Sequence, residues 1–291
     1  MKHAILGAGA IGGLVGTALA SIGEDVSVVV RPEKLANYPA TLTLERPSGT
    51  VSGRAKALVS LAEPVDVLWI ATKTYQLEKA LESVKVAPSC VVSLLNGVEH
   101  IAVLRARFGN DHVVPGTIAV EAERITAGRF IQRSPFVRLN LAASGRPLLS
   151  GIIQELGQLR FTCQFIENEQ TLLWSKLTFL APFALVTSAS GMNVGEILAN
   201  PEWKRKLDSS IVEACAVANA SGAEIDTEQA RAAFSSVPAT MRSSMQKDLL
   251  AGRELELDAI GGPIVRDGKL HAINVATTAE LMAAIRAKAT Q

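Results

Sequence analysis

One lysine, Lys176, interrupts the apolar segment WSKLTFLAPFALVTS at residues 174–188. It is the only charged residue between Glu169 and Glu196. A lysine in an apolar helix usually extends its stem so that the charge reaches water. A buried lysine instead has a pKa lowered towards neutrality, and it can then donate a proton in a reaction. The segment alone leaves both interpretations open and favours the first.

A second candidate for chemistry is a glycine pattern, G-x-G-x-x-G, near the N-terminus. A strand-like segment, HAIL (3–6), precedes it, and a helix-like segment, IGGLVGTALASI (11–22), follows it. In this context the first glycine permits a tight turn, the second lets the backbone approach a pyrophosphate, and the third lets the helix pack on the strand. The helix N-terminus offers free N–H groups to the anion. The predicted dinucleotide contacts are Gly7, Gly9, Ala10, Ile11 and Gly12.

The residue after the second predicted strand, DVSVVV (25–30), is Arg31. An NAD site usually has Asp or Glu here, which accepts hydrogen bonds from the ribose hydroxyls. A carboxylate would repel a 2′-phosphate, whereas a guanidinium can pair with it through two parallel bonds. Arg31 therefore predicts NADP(H), with a solvated surface arginine as the alternative. Lys73, after the strand DVLWIA (66–71), is a second cation near the expected cofactor edge or an ordinary loop lysine.

The elements that position these residues follow an alternating pattern in the first half of the chain. Apolar strand-like segments alternate with segments of helical spacing, which predicts a parallel sheet covered on both faces. Shorter strands are predicted between residues 113 and 142, then a helix at 147–158 and a strand at 161–166.

The second half of the chain has a different pattern, because strand signals disappear from about residue 168. Helices are predicted at 202–222, 227–235, 239–251, 254–266 and 275–288. The sequence therefore predicts an α/β protein with an N-terminal Rossmann-type dinucleotide-binding domain followed by an all-helical C-terminal domain. The predicted boundaries are 1–167 and 168–291.

Composition disfavours several classes of protein. The 291 residues are 48% hydrophobic with a formal net charge of +1, so a large core is expected, and neither nucleic acid nor a membrane is predicted as a partner. Three cysteines and four histidines show no disulfide or metal-ligand spacing, so no metal is predicted and a reducing, cytoplasmic location is expected. The N-terminal glycines argue against a signal peptide.

Three further segments carry a resemblance to a known family. ATKTYQ (71–76) and LLNGVEH (94–100) follow predicted strands, and RSSMQKDLLAGRELELDAIGG (242–262) lies in the helical half. The last segment is the most specific, since it fits a pattern S-M-x-x-D, then G-R-x-x-E, then an aspartate. The matching residues are Ser244, Met245, Asp248, Gly252, Arg253, Glu256 and Asp258. Together with the glycine loop and WSKL, these segments resemble the ketopantoate reductase (2-dehydropantoate 2-reductase) family over nearly the whole chain.

The resemblance implies an NADP-dependent oxidoreductase of pantothenate biosynthesis, which reduces the 2-oxo acid 2-dehydropantoate to pantoate. It implies that Lys176 is the catalytic proton donor, that Glu256 is a catalytic glutamate in contact with the substrate, and that Ser244 binds the substrate. It places Asn96 near both nicotinamide and substrate. Each also has a plain alternative: an exposed helix charge for Glu256, a helix start for Ser244 and an Asn-Gly turn for Asn96. The remaining implied cofactor contacts are Lys73 and Gln76.

Two positions depart from the family pattern. The family usually carries asparagines one and two helical turns after the catalytic lysine, and here those positions are Leu180 and Ala184. Those asparagines normally bind substrate hydroxyl and carbonyl groups, so their loss predicts a more apolar pocket and weak binding of a hydroxylated substrate. The prediction is therefore a 2-oxo acid or related carbonyl substrate, with ketopantoate itself left open. Pro182, between them, is expected to bend the helix.

Two other functions share the two-domain plan. An opine-type or 3-hydroxy acid dehydrogenase would rely on a different catalytic set, often with histidine, and no histidine here holds a persuasive position. A non-catalytic NADP(H)-binding regulator is compatible with the missing asparagines, but the retention of Lys176, Ser244 and Glu256 favours an enzyme. The predicted partner is a small-molecule 2-oxo acid, and the sequence leaves a homodimer open.

Overall fold

The computed structural model describes residues 1–290, which divide into two compact units. The first, the sheet unit, comprises residues 1–95 and 100–167. The second, the helical unit, comprises residues 96–99 and 168–290. A segment of only four residues, 96–99, thus belongs to the helical unit, although the chain on both sides of it belongs to the sheet unit.

The sheet unit contains all the strands found in residues 1–290. The strands are β1 (Lys2–Leu6), β2 (Asp25–Val29), β3 (Thr41–Glu45), β4 (Val51–Arg54), β5 (Lys56–Leu58), β6 (Val67–Ile70), β7 (Cys90–Ser93), β8 (Val113–Ala119), β9 (Ala122–Thr126), β10 (Arg129–Gln132), β11 (Val137–Ala142) and β12 (Phe161–Ile166). Its helices are α1 (Ala10–Ser21), α2 (Pro32–Leu35), α3 (Leu77–Leu81), α4 (His100–Phe108) and α5 (Arg146–Gln158). Short 3-10 turns lie at Thr74–Gln76, Asn110–His112 and Ala143–Gly145.

The main sheet has the strand order β12-β11-β8-β7-β6-β1-β2-β5. The six strands from β8 to β5 are parallel to their neighbours, as the alternating pattern predicts. All side chains of β6 and β7 are buried, which is typical of parallel strands covered on both faces. At the other edge β11 pairs antiparallel with β8, and β12 pairs parallel with β11, so the complete sheet is mixed.

A second sheet, β4-β3-β10-β9, was not predicted in full, since only β10 had a strand signal in the sequence. It packs against α1, which also contacts β1 and β2. This position explains why α1 is rich in glycine. A Cβ atom on Gly13 would lie 2.0 Å from the ring of Phe130, and one on Gly16 would lie 2.9 Å from the side chain of Ile5.

The helical unit is built around one long central helix. Its helices are α6 (Glu169–Ser190), α7 (Val194–Ala199), α8 (Pro201–Ala220), α9 (Thr227–Ala233), α10 (Ser244–Leu250), α11 (Leu257–Leu270) and α12 (Ala276–Ala289), with a 3-10 turn at Phe234–Ser236. α6 contacts α8, α10, α11 and α12. It is long and apolar enough to cross a membrane, but 78% of its most apolar window is buried within the fold, which is typical of a core helix. Burying a large side chain such as Trp174, 1% exposed, contributes about 1.5–3 kcal/mol.

Two predicted helices in this unit have wrong boundaries. The helix expected at 239–251 begins only at Ser244, because the buried Ser243 hydroxyl caps it by accepting a bond of 3.1 Å from the N–H of Gln246. The helix expected at 254–266 is α11, which begins after Glu256 and continues to Leu270. The helices α8, α9 and α12 agree with the prediction, whereas the short helix α7 was not predicted.

Candidate functional site

The glycine loop lies between β1 and α1, and its geometry requires glycine at two positions. Gly7 has φ +97°, and a Cβ atom there would lie 2.6 Å from the backbone nitrogen of Thr72. A Cβ atom on Gly12 would lie 2.2 Å from the carbonyl oxygen of Gly7. At Gly9 a Cβ atom would meet nothing within 4 Å, so the outer side of the loop is open to a close approach.

The first turn of α1 fits an anionic group. Gly9 is the N-cap residue and has no side chain to cap the helix. The N–H groups of Ala10, Ile11 and Gly12 lie in the first turn, where a helix has no internal acceptor for them. No acidic residue occupies this turn, so a diphosphate would meet free donors and the positive end of the helix dipole.

The predicted cations lie at the same edge of the main sheet as the loop. β2 and β6 are the two parallel neighbours of β1, so the carboxyl ends of these three strands lie side by side. Arg31 is the exposed N-cap residue of α2, just after β2, and its guanidinium has no ion pair within residues 1–290. Lys73 precedes the 3-10 turn after β6, and Gln76 ends that turn. Both side chains are part-buried.

Arg124 is a further cation at the loop that the sequence did not indicate. It extends from β9 of the second sheet and donates a long hydrogen bond, 3.4 Å, to the carbonyl oxygen of Ala8. The Tyr38 hydroxyl is buried and has no hydrogen-bond partner among the described residues. Burial raises the pKa of Tyr38, and the charge of Arg124 partly offsets this rise. Only the second sheet brings Arg124 to the loop, and no local sequence signal marked it.

Lys176 lies on α6 in the helical unit and is part-buried. Burial lowers its pKa to about 8, while the negative charge of Glu256 acts in the opposite direction. Its ammonium donates no hydrogen bond to any residue within 1–290. The side chain is therefore not a solvated stem. It is a partly desolvated acid, and the carboxylate of Glu256 is close enough to affect its pKa.

Asn96 and Glu256 are in direct contact within the helical unit. Asn96 Nδ2 donates to Glu256 Oε2 over 3.2 Å. Glu256 is only 5% exposed, so its interpretation as an ordinary exposed helix charge is wrong. Gly97 has φ +87°, and a Cβ atom there would lie 2.4 Å from the carbonyl oxygen of Ala259. The Asn-Gly pair is thus a turn, and it is also the place where the segment 96–99 packs on α11.

Ser244 is the first residue of α10, and its side chain is exposed. The capping role belongs to its neighbour Ser243, whose buried hydroxyl lies 2.7 Å from that of Thr187 on α6. The Ser244 hydroxyl makes no hydrogen bond with the described residues. The structure therefore places Asn96 in contact with Glu256, and Glu256 close enough to Lys176 to affect its pKa. No hydrogen bond joins Ser244 to any of these three residues.

The two departures from the family pattern lie in apolar surroundings. Ala184 is fully buried, and Leu180 is part-buried against the core of the helical unit. Phe179, next to Leu180, contacts the rings of Phe183 and Phe234 at centroid distances of 5.7 Å and 4.7 Å. α6 is continuous from Glu169 to Ser190 in spite of its internal proline. The helix that carries Lys176 therefore continues with apolar side chains.

Both units match models of known protein families. The family model described as ketopantoate reductase PanE/ApbA matches residues 3–144, and its C-terminal counterpart matches residues 168–289. The chain belongs to the ketopantoate reductase family. It is therefore an NAD(P)-dependent oxidoreductase, as predicted, and the expected Rossmann-type unit followed by a helical unit is confirmed.

Several relatives span almost the whole chain. The 2-dehydropantoate 2-reductase of Caulobacter vibrioides is 29% identical and covers 98% of each sequence. An uncharacterised oxidoreductase of Bacillus subtilis, YkpB, is 28% identical and covers 92% of each. The crystal structure of a ketopantoate reductase from Ralstonia eutropha has a TM-score of 0.87 at 25% identity, over 100% of this chain and 99% of that one. A D-mandelate dehydrogenase solved with NADH and anilino(oxo)acetate shares the fold, with a TM-score of 0.88 at 21% identity.

Proposed function

We propose that this family member reduces a 2-oxo acid to a 2-hydroxy acid with NADPH, and that Lys176 donates the proton. The observation that carries the proposal is the part-buried Lys176 ammonium, with its pKa lowered to about 8 beside the buried Glu256. Residues 1–167 are proposed as the NADP-binding domain and residues 168–291 as the catalytic domain. By family resemblance the substrate is 2-dehydropantoate.

The proposed chemistry needs an acid at the carbonyl oxygen. The carbonyl carbon would receive a hydride from a bound nicotinamide cofactor. Lys176 protonates the oxygen as negative charge develops there, a role that contributes about 10²–10⁴-fold. Its positive charge also attracts the carboxylate of a 2-oxo acid. Because Glu256 is an acceptor held by Asn96 Nδ2, it can orient the lysine or accept a substrate hydroxyl. Ser244 is proposed to donate its exposed hydroxyl to the substrate.

The proposed cofactor site uses the carboxyl edge of the main sheet. Gly7, Gly9 and Gly12 allow a pyrophosphate to approach the first turn of α1, where Ala10 and Ile11 present their N–H groups. The cations and polar residues proposed to complete the site are Arg31, Lys73, Gln76 and Asn96. A guanidinium without a carboxylate partner after β2 supports NADP(H), because a 2′-phosphate would pair with it.

A carbonyl substrate other than ketopantoate is the second candidate, and the apolar positions Leu180 and Ala184 favour it. Without amide groups on this face of α6, a 2-oxo acid with an apolar side chain should be preferred to one that carries a hydroxyl. We also propose a cytoplasmic location, which fractionation of cells would test, and a homodimer, which light scattering of the purified protein would test.

A substrate panel tests these proposals together. Ketopantoate and aliphatic, branched and aromatic 2-oxo acids would be assayed with NADPH and NADH in parallel. The proposal expects turnover with NADPH, and the second candidate expects kcat/KM for an apolar acid to exceed that for ketopantoate by about tenfold. Leu180→Asn should then reduce this difference in kcat/KM between the apolar acid and ketopantoate. Tight NADPH binding without turnover of any acid would overturn the enzyme proposal, and equal use of NADH would overturn the role of Arg31.

A further inference from the structure

The segment 96–99 is fastened to α11 by an ion cluster that lies outside the proposed catalytic group. Arg266, on α11, donates from Nε to one oxygen of Glu99 and from Nη2 to the other, both over 2.6 Å. The two bonds form a parallel, bidentate pair, the strongest geometry for an arginine and a carboxylate. Arg266 Nη1 also donates to Asp258 Oδ1 over 2.9 Å.

The two carboxylates act differently on Arg266. Asp258 and Arg266 belong to the same helix, so their bond orients the guanidinium but connects no other part of the chain. Glu99 belongs to the separate segment 96–99, so of these two bonds only the one to Glu99 joins that segment to α11. Asp258 thus orients Arg266 on α11, and Arg266 in turn binds Glu99 of the segment 96–99.

Three contacts in a row join this short segment to α11. At one end Asn96 donates to Glu256. In the middle Gly97 lies so close to Ala259 that no side chain fits between them. At the other end Glu99 is held by Arg266. The four-residue segment contains no helix or strand of its own, so these contacts, together with the packing of Val98 on the core of the helical unit, hold its side chains in place.

We propose that Arg266 is a positioning residue, which holds the segment 96–99 on α11 and thereby keeps Asn96 on Glu256. This inference rests on the proposed function, since it assigns Arg266 to the reaction only through those two residues. The Arg266–Glu99 pair, here called the clamp, fixes the orientation of the segment 96–99 rather than stabilising the fold. Arg266 and Glu99 side chains are 45% and 46% exposed, and exposed ion pairs contribute little to stability. Loss of orientation can nonetheless reduce a rate strongly, since small displacements of a catalytic group are costly.

Variants of the pair test the proposal, each with a matched control. Arg266→Met and Glu99→Gln remove the clamp, and Lys206→Met and Glu280→Gln remove another ion pair, 2.9 Å long, that joins α8 to α12. We expect kcat to fall about tenfold or more in the first two variants and to stay unchanged in the controls. Arg266→Lys should restore only part of the rate, because an ammonium cannot form the two parallel bonds.

The pH profile separates a positioning role from a general loss of structure. The charge of Glu256 raises the pKa of Lys176 against the effect of burial. If Arg266→Met allows Glu256 to move away from Lys176, the pKa of Lys176 should therefore decrease. The alkaline limb of kcat/KM should then move to lower pH in Arg266→Met and stay in place in Lys206→Met. An unchanged limb together with an unchanged kcat would overturn the proposal.

Hydrogen–deuterium exchange gives a readout that does not depend on turnover. Peptides covering residues 94–101 should exchange faster in Arg266→Met than in the parent protein, while peptides from α6 and α8 should not change. If the parent protein reduces no 2-oxo acid, the proposed function fails, and the exchange data still show whether Arg266 holds the segment. Unchanged exchange in residues 94–101 would overturn the positioning role even in an active enzyme.

Discussion

At the scale of single residues, the decisive feature is a lysine under two opposing influences. Desolvation lowers the pKa of Lys176 to about 8, and the nearby Glu256 limits the fall. A group of this pKa stays mostly protonated at neutral pH, yet releases its proton more readily than an exposed lysine. The same burial that suits catalysis makes the charged side chain costly to the fold.

Replacing Lys176 should therefore reduce activity while stabilising the protein. Lys176→Ala is expected to lower kcat about 10²–10⁴-fold with the Kd for NADPH unchanged, whereas Lys204→Ala, on the exposed face of α8, should be neutral.

In the parent enzyme kcat/KM should fall as pH rises through about 8, because the proton donor is then lost. Steady-state kinetics from pH 6 to 10 would check this, and a flat alkaline profile would contradict it.

The sign of the stability effect follows from the same shift. The folded-state pKa lies below the unfolded value, so folding favours neutral Lys176 and the native state loses stability as pH falls from 10.5 towards about 8. Lys176→Met should accordingly raise the free energy of unfolding at pH 7 by about 2 kcal/mol after allowance for partial exposure, and by little above pH 10.5. Urea denaturation at both pH values measures the difference.

The sequence could name the candidate residues of the helical unit but not their contacts. Lys176, Asn96 and Glu256 were recognisable only in combination, since each alone has a common structural role. That Glu256 is buried, and that Asn96 donates to it, depends on the packing of segments 160 residues apart in the chain. Arg266 carried no signal, because an arginine on a polar helix face is usually solvated.

At the scale of elements, a buried chain of hydroxyl groups joins α6 to the start of α10. The Thr187 hydroxyl donates to the carbonyl oxygen of Phe183 over 2.7 Å. The Ser243 hydroxyl, 2.7 Å away, must then donate to Thr187, while its own oxygen accepts from the N–H of Gln246. The Ser243 proton has its acceptor only if Thr187 is in place, so this bond fixes the start of α10 relative to α6.

Thr187→Val should break this chain without creating a cavity. The buried Ser243 hydroxyl would lose its acceptor, at a cost of about 1–3 kcal/mol, and Thr187→Ser should restore most of that stability. Because the exposed Ser244 follows directly, the valine variant should also raise the KM for the 2-oxo acid. Urea denaturation and steady-state kinetics of both variants would check this, and equal stability of the two would contradict it.

Elements with a regular apolar pattern were predictable, and those without one were not. The strands β6 and β7 are wholly buried and were recognised from continuous apolar runs. The strand β9 exposes four of its five side chains. β4 alternates part-buried and exposed side chains, and β5 has only three residues, so no continuous apolar run marked these strands. The true start of α10 depends on a tertiary contact of Ser243, which local propensity does not reveal.

At the scale of the whole molecule, the sheet unit brings cations from distant parts of the chain to one edge of the main sheet. Arg31 follows β2, and Arg124 reaches the loop from a different sheet. Neither guanidinium has an ion pair within residues 1–290. Arg124 beside the uncapped N-terminus of α1, and Arg31 at the same edge of the sheet, support the proposed site for a ligand with several phosphates.

Arg124→Ala should weaken NADPH binding about tenfold, which corresponds to one charge-assisted hydrogen bond. Arg129→Ala, which removes an exposed partner of Glu45 in the same sheet, is the control and should bind normally. Titration with NADPH and NADH would locate the contact, because a loss confined to NADPH indicates the 2′-phosphate. An equal loss would instead indicate the pyrophosphate, and no loss would exclude Arg124 from the site.

The segment 96–99 makes the helical unit discontinuous in sequence, which constrains how such proteins can recombine. A crossover at residues 167 and 168 would give the C-terminal half a new version of Asn96 and Glu99 while keeping the old Glu256 and Arg266. Chimaeras between relatives should therefore inherit these four residues from the same parent as α11. Pairs at these positions are expected to change together during divergence, and a separately expressed C-terminal fragment would lack half of each pair.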